Sequence, residues 1–252
     1  MKISSSSLLL SSLLLAAGLA VPALAGEPET PKPLIKEPAI KEMAAKPVDS
    51  SKQLAEPYPL STCPVLGGKL GGMGDPVIKL YDGREVRFCC GGCPPKFEKD
   101  LAKNLAKLDE AIIKDQLSLY PTDTSIVTGK KLPEKPIDWV FNNRLVRLAD
   151  EAEKADFKKD SAKYLATLDK AVADKQGKDY PLKTCAVSNE DLGSMGEAKD
   201  AIVGGRLVRL CCNSCKKEVR KDPAKFIAMI DDARKAVASG KAGPAGKQPA
   251  GK

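Results

Sequence analysis

The chain repeats itself. Tyr58-Pro59, Tyr120-Pro121 and Tyr180-Pro181 open three stretches spaced 62 and 60 residues apart. The first and third align without a gap at an offset of 122, TCPVLGGKLGGMGDP over TCAVSNEDLGSMGEA and DGREVRFCCGGC over GGRLVRLCCNSC. The middle stretch keeps NRLVRL (Asn143 to Leu148) and the helical ending but carries no cysteine. A unit of this length, present three times, points to small modules built on one plan rather than to one large hydrophobic domain. An aromatic content of only 4% agrees, since it leaves few large side chains for a single extensive core.

Each unit shows the same local pattern. Ile78 to Tyr81 and Glu85 to Phe88 are short β-rich runs around Asp82-Gly83, a dipeptide suited to a type I′ turn. Asn142-Asn143 and Gly204-Gly205 stand at the same place and tolerate the same positive φ. A helix is expected after each hairpin. In the first unit Phe97, Leu101, Leu105, Leu108 and Ile112 recur at helical spacing. In the third, Asp222-Pro223 reads as an N-cap and first helical residue, followed by Phe226, Ile230, Ala233 and Val237. The fold class is therefore α+β, three tandem modules of loop, β-hairpin and α-helix. The expected organisation is a signal peptide over 1–25, a flexible linker over 26–56, module 1 over 57–117, module 2 over 118–176, module 3 over 177–238 and a disordered tail over 239–252.

The leader expectation rests on Lys2, the apolar run from Leu8 to Val21 and the small-x-small signature Ala23-Leu24-Ala25. It implies a secreted or periplasmic protein with no membrane span in the mature chain. The chain carries 41 Lys+Arg against 33 Asp+Glu, and the excess is interleaved with acids, as in Lys96-Phe97-Glu98-Lys99-Asp100 and Asp156-Phe157-Lys158-Lys159-Asp160. Such alternation describes solvated helix faces. A nucleic-acid footprint would need clustered cations with interleaved aromatics, so no nucleic-acid partner is expected.

The candidate chemistry lies in the cysteines. There is no histidine, which excludes a Ser-His-Asp or Cys-His catalytic pair and any imidazole-ligated metal site. The eight cysteines fall into two equivalent sets, Cys63, Cys89, Cys90 and Cys93, then Cys185, Cys211, Cys212 and Cys215. Cys89 and Cys90 stand where the second strand ends, and Cys93 falls in the first helical turn. A Cys-x-x-x-Cys pair at a helix start lies on one face with Cβ atoms about 5–6 Å apart. Cys63, in the loop before the hairpin, can complete the cluster. Unpaired N–H groups at a helix start favour the thiolate that a metal requires. In the middle unit Ser125 replaces the early Cys, and Ala149, Asp150 and Glu153 replace the later cluster.

The succession of Cys-Pro-Val, a Gly-rich loop, a Gly-Arg hairpin, Phe-Cys-Cys-x-x-Cys and a Phe-x-x-Asp helix resembles the YHS/TRASH group of small metal-binding domains. The likeness covers residues 58–113 and 180–237, with 120–173 as a degenerate copy. It implies treble-clef-like modules that bind a soft heavy metal in transport, sensing or resistance. The ligands of that group, one early Cys and a later Cys-x-x-x-Cys, fall on Cys63, Cys89 and Cys93 and on Cys185, Cys211 and Cys215. Cys90 and Cys212 are additional candidates, at places where family members often carry Ser.

The function expected is binding of Zn(II) or Cu(I) through thiolates, in an exported protein that is not an enzyme. Two alternatives stand beside it. An even cysteine count in an exported chain also suits a disulfide-stapled scaffold with an envelope protein partner. Cys90-x-x-Cys93 and Cys212-x-x-Cys215 also suit a thiol-disulfide oxidoreductase. Met73 and Met195, at matching places in LGGMG and LGSMG, are expected to pack on the hairpin, with thioether ligation of Cu(I) as the alternative. Arg84, Arg87, Arg206 and Arg209 are expected as alternate exposed residues on the second strands, or as screens for the thiolates. Asp150 and Glu153 are two carboxylates without a third partner for a hard cation.

Overall fold

The structure is a computed structural model that describes residues 56–240. The expected leader, and nearly all of the expected linker and tail, lie outside the described residues. The chain runs β1 (Val77–Tyr81), β2 (Arg84–Phe88), α1 (Cys93–Glu98), α2 (Leu101–Gln116), β3 (Ile137–Phe141), β4 (Arg144–Leu148), α3 (Ala152–Lys159), α4 (Ser161–Gly177), β5 (Lys199–Val203), β6 (Arg206–Leu210), α5 (Cys215–Lys221) and α6 (Pro223–Ala238). The described residues are thus mixed helix and antiparallel hairpin, with each hairpin a separate two-stranded sheet.

The three hairpins share one register, Tyr81 opposite Arg84, Phe141 opposite Arg144 and Val203 opposite Arg206. Both turn residues have positive φ in every copy: Asp82 at 50° and Gly83 at 76°, Asn142 at 45° and Asn143 at 69°, Gly204 at 53° and Gly205 at 72°. This is the type I′ requirement, and it explains why only Asp, Asn and Gly occupy these places.

The long helix of the third repeat opens at Asp222-Pro223 as expected, but the helical part otherwise differs from expectation. Each hairpin is followed by a short helix and then a long one, because the backbone leaves the helical region at Asp100 (φ −140°, ψ 63°), Asp160 (φ −148°, ψ 60°) and Asp222 (φ −132°, ψ 70°). Phe97 therefore belongs to α1, not to the helix that carries Leu101 to Ile112. The break frees the short helix to drop its apolar residue into the hairpin. Phe97 lies 5.3 Å from Phe88 and 5.4 Å from Tyr81 between ring centres. In the cysteine-free repeat, Phe157 meets Trp139, Phe141 and Tyr164 at 5.4, 5.0 and 5.6 Å.

The second strands do not alternate between buried and exposed. Glu85, Val86, Arg87 and Phe88 are all buried, as are Arg144 and Arg206. The cause is packing between repeats: α2 lies against β3 and β4, α4 lies against β5 and β6, and Arg87 of β2 reaches the Arg220 and Lys221 carbonyls of α5. The long helix of one repeat thus covers the outer side of the next hairpin. At each junction a glutamine seals the exposed strand edge. Gln116 donates to Asn143 O (2.9 Å) and accepts from Leu145 N (3.0 Å), while Gln176 donates to Gly205 O (2.8 Å) and accepts from Leu207 N (2.9 Å).

Candidate metal centre

Each early cysteine sits in a tight loop whose backbone closes on itself. Cys63 N–H donates to Gly68 O and Gly67 N–H donates to Cys63 O, both at 2.8 Å. Cys185 repeats the pair with Glu190 and Asn189, and Ser125 repeats it with Lys130 and Gly129. The turn demands positive φ, met by Gly67 (67°), Gly129 (73°) and Asn189 (62°). The second cysteine of each set follows the last residue of β2 or β6, and the last one opens α1 or α5. Loop, strand end and helix start therefore converge on one point.

The structure brings the expected ligands together. Cys63, Cys89 and Cys93 have sulfurs all within 4.8 Å of one another, and so do Cys185, Cys211 and Cys215. All six are buried. Cys89 and Cys93 are 3.7 Å apart, and Cys215 lies 3.9 Å from both Cys185 and Cys211. Thiolates bound to one tetrahedral ion at about 2.3 Å stand roughly 3.75 Å apart, so these sulfurs are already near ligand spacing. Cys90 is 3.6 Å from Cys93, and Cys212 is 3.6 Å from Cys215 and 3.9 Å from Cys211, but neither belongs to the mutually close buried set. Both are half-buried.

All eight cysteines are free thiols. Sulfurs at 3.6–3.9 Å are far beyond the bonded length of about 2.05 Å, so the structure contains none of the disulfides that a stapled scaffold would use.

The environment divides the thiols into acids and proton holders. Burial opposes ionisation of Cys185, but hydrogen bonds from Ser188 and from backbone N–H groups of Cys211 and Val187 outweigh it and bring the thiol down to about 7. Cys63 is lowered in the same way, with burial opposed by backbone bonds at Leu66, Cys89 and Val65. Cys212 falls to about 7 through Ser214 and the backbone of Cys215. Cys93 and Cys215 are pushed up, first by burial and then by hydrogen bonding to neighbouring thiols.

The middle repeat shows the same pocket filled by protein. Glu153, at the place of Cys93 and Cys215, accepts from Ser125 Oγ (2.7 Å), Thr128 Oγ1 (2.6 Å) and Ala149 N (2.8 Å). Asp150 accepts from Glu153 N at 3.1 Å. The two carboxylates are engaged by protein donors, not gathered for a cation. Thr128 and Ser188 escaped the sequence reading, although Ser188 Oγ lies 3.3 Å from Cys211 Sγ. Their counterpart in the first repeat is Leu66, so the first and third copies, aligned on their cysteines, pair Ser188 with an apolar residue, and only the middle copy repeats the hydroxyl.

Two further expectations need correction. Met73 and Met195 are 71% and 67% exposed, so neither packs on its hairpin. The arginines neither alternate outward nor face the thiolates. Arg84 pairs with Asp109, Arg87 with Glu85, Arg206 with Asp115 and Asp231, and Arg209 with Asp200.

Comparison of the chain with family models, curated proteins and solved structures finds no match. Among the described residues no helix is long and apolar enough to cross a membrane.

Proposed function

We propose that this chain is an exported binding protein for a soft metal ion, Zn(II) or Cu(I), held by three thiolates in each of the first and third repeats. The observation that carries this reading is the convergence of three buried sulfurs, from three separate elements, within 4.8 Å in both cysteine-bearing repeats. Three sulfurs converging at this spacing are the donor set that a soft cation takes. The resemblance to YHS/TRASH domains supports the same reading and suggests treble-clef-like modules that handle or sequester metal. The middle repeat serves as structure. The role proposed for the chain is binding rather than hydrolysis, since a chain without histidine offers no imidazole base beside the thiolates.

The test is metal content and free thiols on full chain purified without chelator. The expected result is two ions per chain, one for each cluster, falling to one in Cys93→Ser or Cys215→Ser. A protein with no metal and no free thiol would overturn the reading in favour of disulfides.

A further inference from the structure

In each cluster a fourth, half-buried thiol stands beside the buried three, and in the third repeat the four sulfurs form two overlapping sets of three. Cys185, Cys211 and Cys215 form the buried set. Cys211, Cys212 and Cys215 form a second set with separations of 3.9, 3.6 and 3.9 Å, as tight as the first. The sets share Cys211 and Cys215 and differ only in the remaining thiol. Cys185 is 0% exposed and sits in the loop before the hairpin. Cys212 is half-buried, lies in the turn between β6 and α5, and contacts Ser214 Oγ at 2.9 Å. In the first repeat Cys90 is likewise half-buried and 3.6 Å from Cys93, while Cys63 is 1% exposed.

We propose that Cys90 and Cys212 are transfer ligands, through which a soft ion enters and leaves the buried sets; this rests on the metal-binding function proposed above. A hydrated ion, or one carried by another ligand, cannot reach three sulfurs that are shut off from solvent without first losing its donors. Such a loss is costly when no replacement is at hand. A half-exposed thiolate supplies the first replacement, and Cys211 and Cys215 supply the next two, each new metal–sulfur bond replacing one to the incoming water or carrier ligand, with the protons of Cys211 and Cys215 passing to that departing ligand or to solvent. The ion then moves inward by one exchange. Its bond to Cys212 breaks as a bond to Cys185 forms, and the proton displaced from Cys185 is taken up by the released Cys212. The oxidation state of the metal and of every sulfur is unchanged. Release runs the same exchange backward. Cys90 and Cys63 exchange in the same way in the first repeat.

The experiment follows Cd(II), delivered as the complex of a chromophoric chelator, into the full chain by stopped-flow absorbance, and its return to excess chelator. Cys90→Ser/Cys212→Ser should still bind two ions, one per buried set. Its uptake and release should both slow by about tenfold, the factor carried by roughly 1.4 kcal/mol of barrier. Cys63→Ser/Cys185→Ser removes the inner ligand that the ion moves to, so an ion that loads stays on the outer thiols and should be released about tenfold faster, by the same conversion. Unchanged rates in the first variant overturn the relay. Loss of ions from that variant also overturns it, by making Cys90 and Cys212 permanent ligands. Failure of the second variant to load overturns it as well. If the wild-type chain takes up no Cd(II), the underlying metal reading fails and the relay fails with it.

Discussion

Glu153 shows what the fold needs at the place of Cys93 and Cys215. The position opens onto a pocket lined by a loop, a strand end and a helix start, each presenting polar groups inward. Where cysteines are absent, one carboxylate gathers Ser125, Thr128 and the Ala149 amide and leaves them satisfied. The shape of the repeat therefore does not depend on sulfur, and the thiols of the other two copies are free to be used for binding. Glu153→Ala would leave the buried Ser125 hydroxyl and the half-buried Ala149 amide without their acceptor, while the exposed Thr128 hydroxyl can turn to water. It should destabilise the chain by about 2 kcal/mol, the penalty of two orphaned donors. A lower urea midpoint at unchanged slope reads this out. A shift below about 0.5 kcal/mol, the size of an ordinary surface substitution, would show that the carboxylate is not what holds the pocket together.

At the scale of elements, the hairpins were legible because a type I′ turn leaves few residue choices, and Asp82-Gly83, Asn142-Asn143 and Gly204-Gly205 all satisfy them. The ligand positions were legible for a similar reason, since strand end and helix start fix the Cys-x-x-x-Cys geometry. The break between short and long helix was not. Only the third copy marks it with proline, at Pro223, and in the first copy the apolar spacing runs from Phe97 through Ile112 as if uninterrupted. Gln116 and Gln176 were also silent, because a polar residue at a helix end looks solvated until the next hairpin arrives against it. Ala238 takes their place in the third repeat, and no further hairpin follows it among the described residues. Gln176→Ala should uncover the Gly205 carbonyl and the Leu207 amide. The expected loss is about 2 kcal/mol, from two backbone groups deprived of partners. Faster amide exchange at Leu207, with the first hairpin unaffected, would check that the damage is local.

Across the whole molecule, the first and third repeats are joined by arginines that the sequence alone suggested were exposed. Arg147 and Arg209 stay within their own hairpins, paired with Asp138 and Asp200. In the first repeat Ile78 replaces that aspartate, and Glu85 replaces the leucine found at Leu145 and Leu207. Both changes redirect Arg87. Glu85 holds its Nε at 2.7 Å, and the two terminal nitrogens reach Lys221 O at 2.7 Å and Arg220 O at 2.9 Å. A guanidinium thus caps the carbonyl end of α5, where the helix dipole favours a cation. No local pattern reveals a bond across 134 residues, but the departure from the repeat at Ile78 and Glu85 marks where one was needed. Arg87→Met keeps the length and apolar stem of the side chain while removing these donors. Amide exchange along Cys215–Lys221 should then quicken by about tenfold, equivalent to the roughly 1.5 kcal/mol of a charged hydrogen bond. The β3–β4 hairpin, which Arg87 does not touch, should exchange as before. Equal protection of α5 in both proteins would mean that this helix is held by Val219 and the core of its own repeat, and that Arg87 only rests against it.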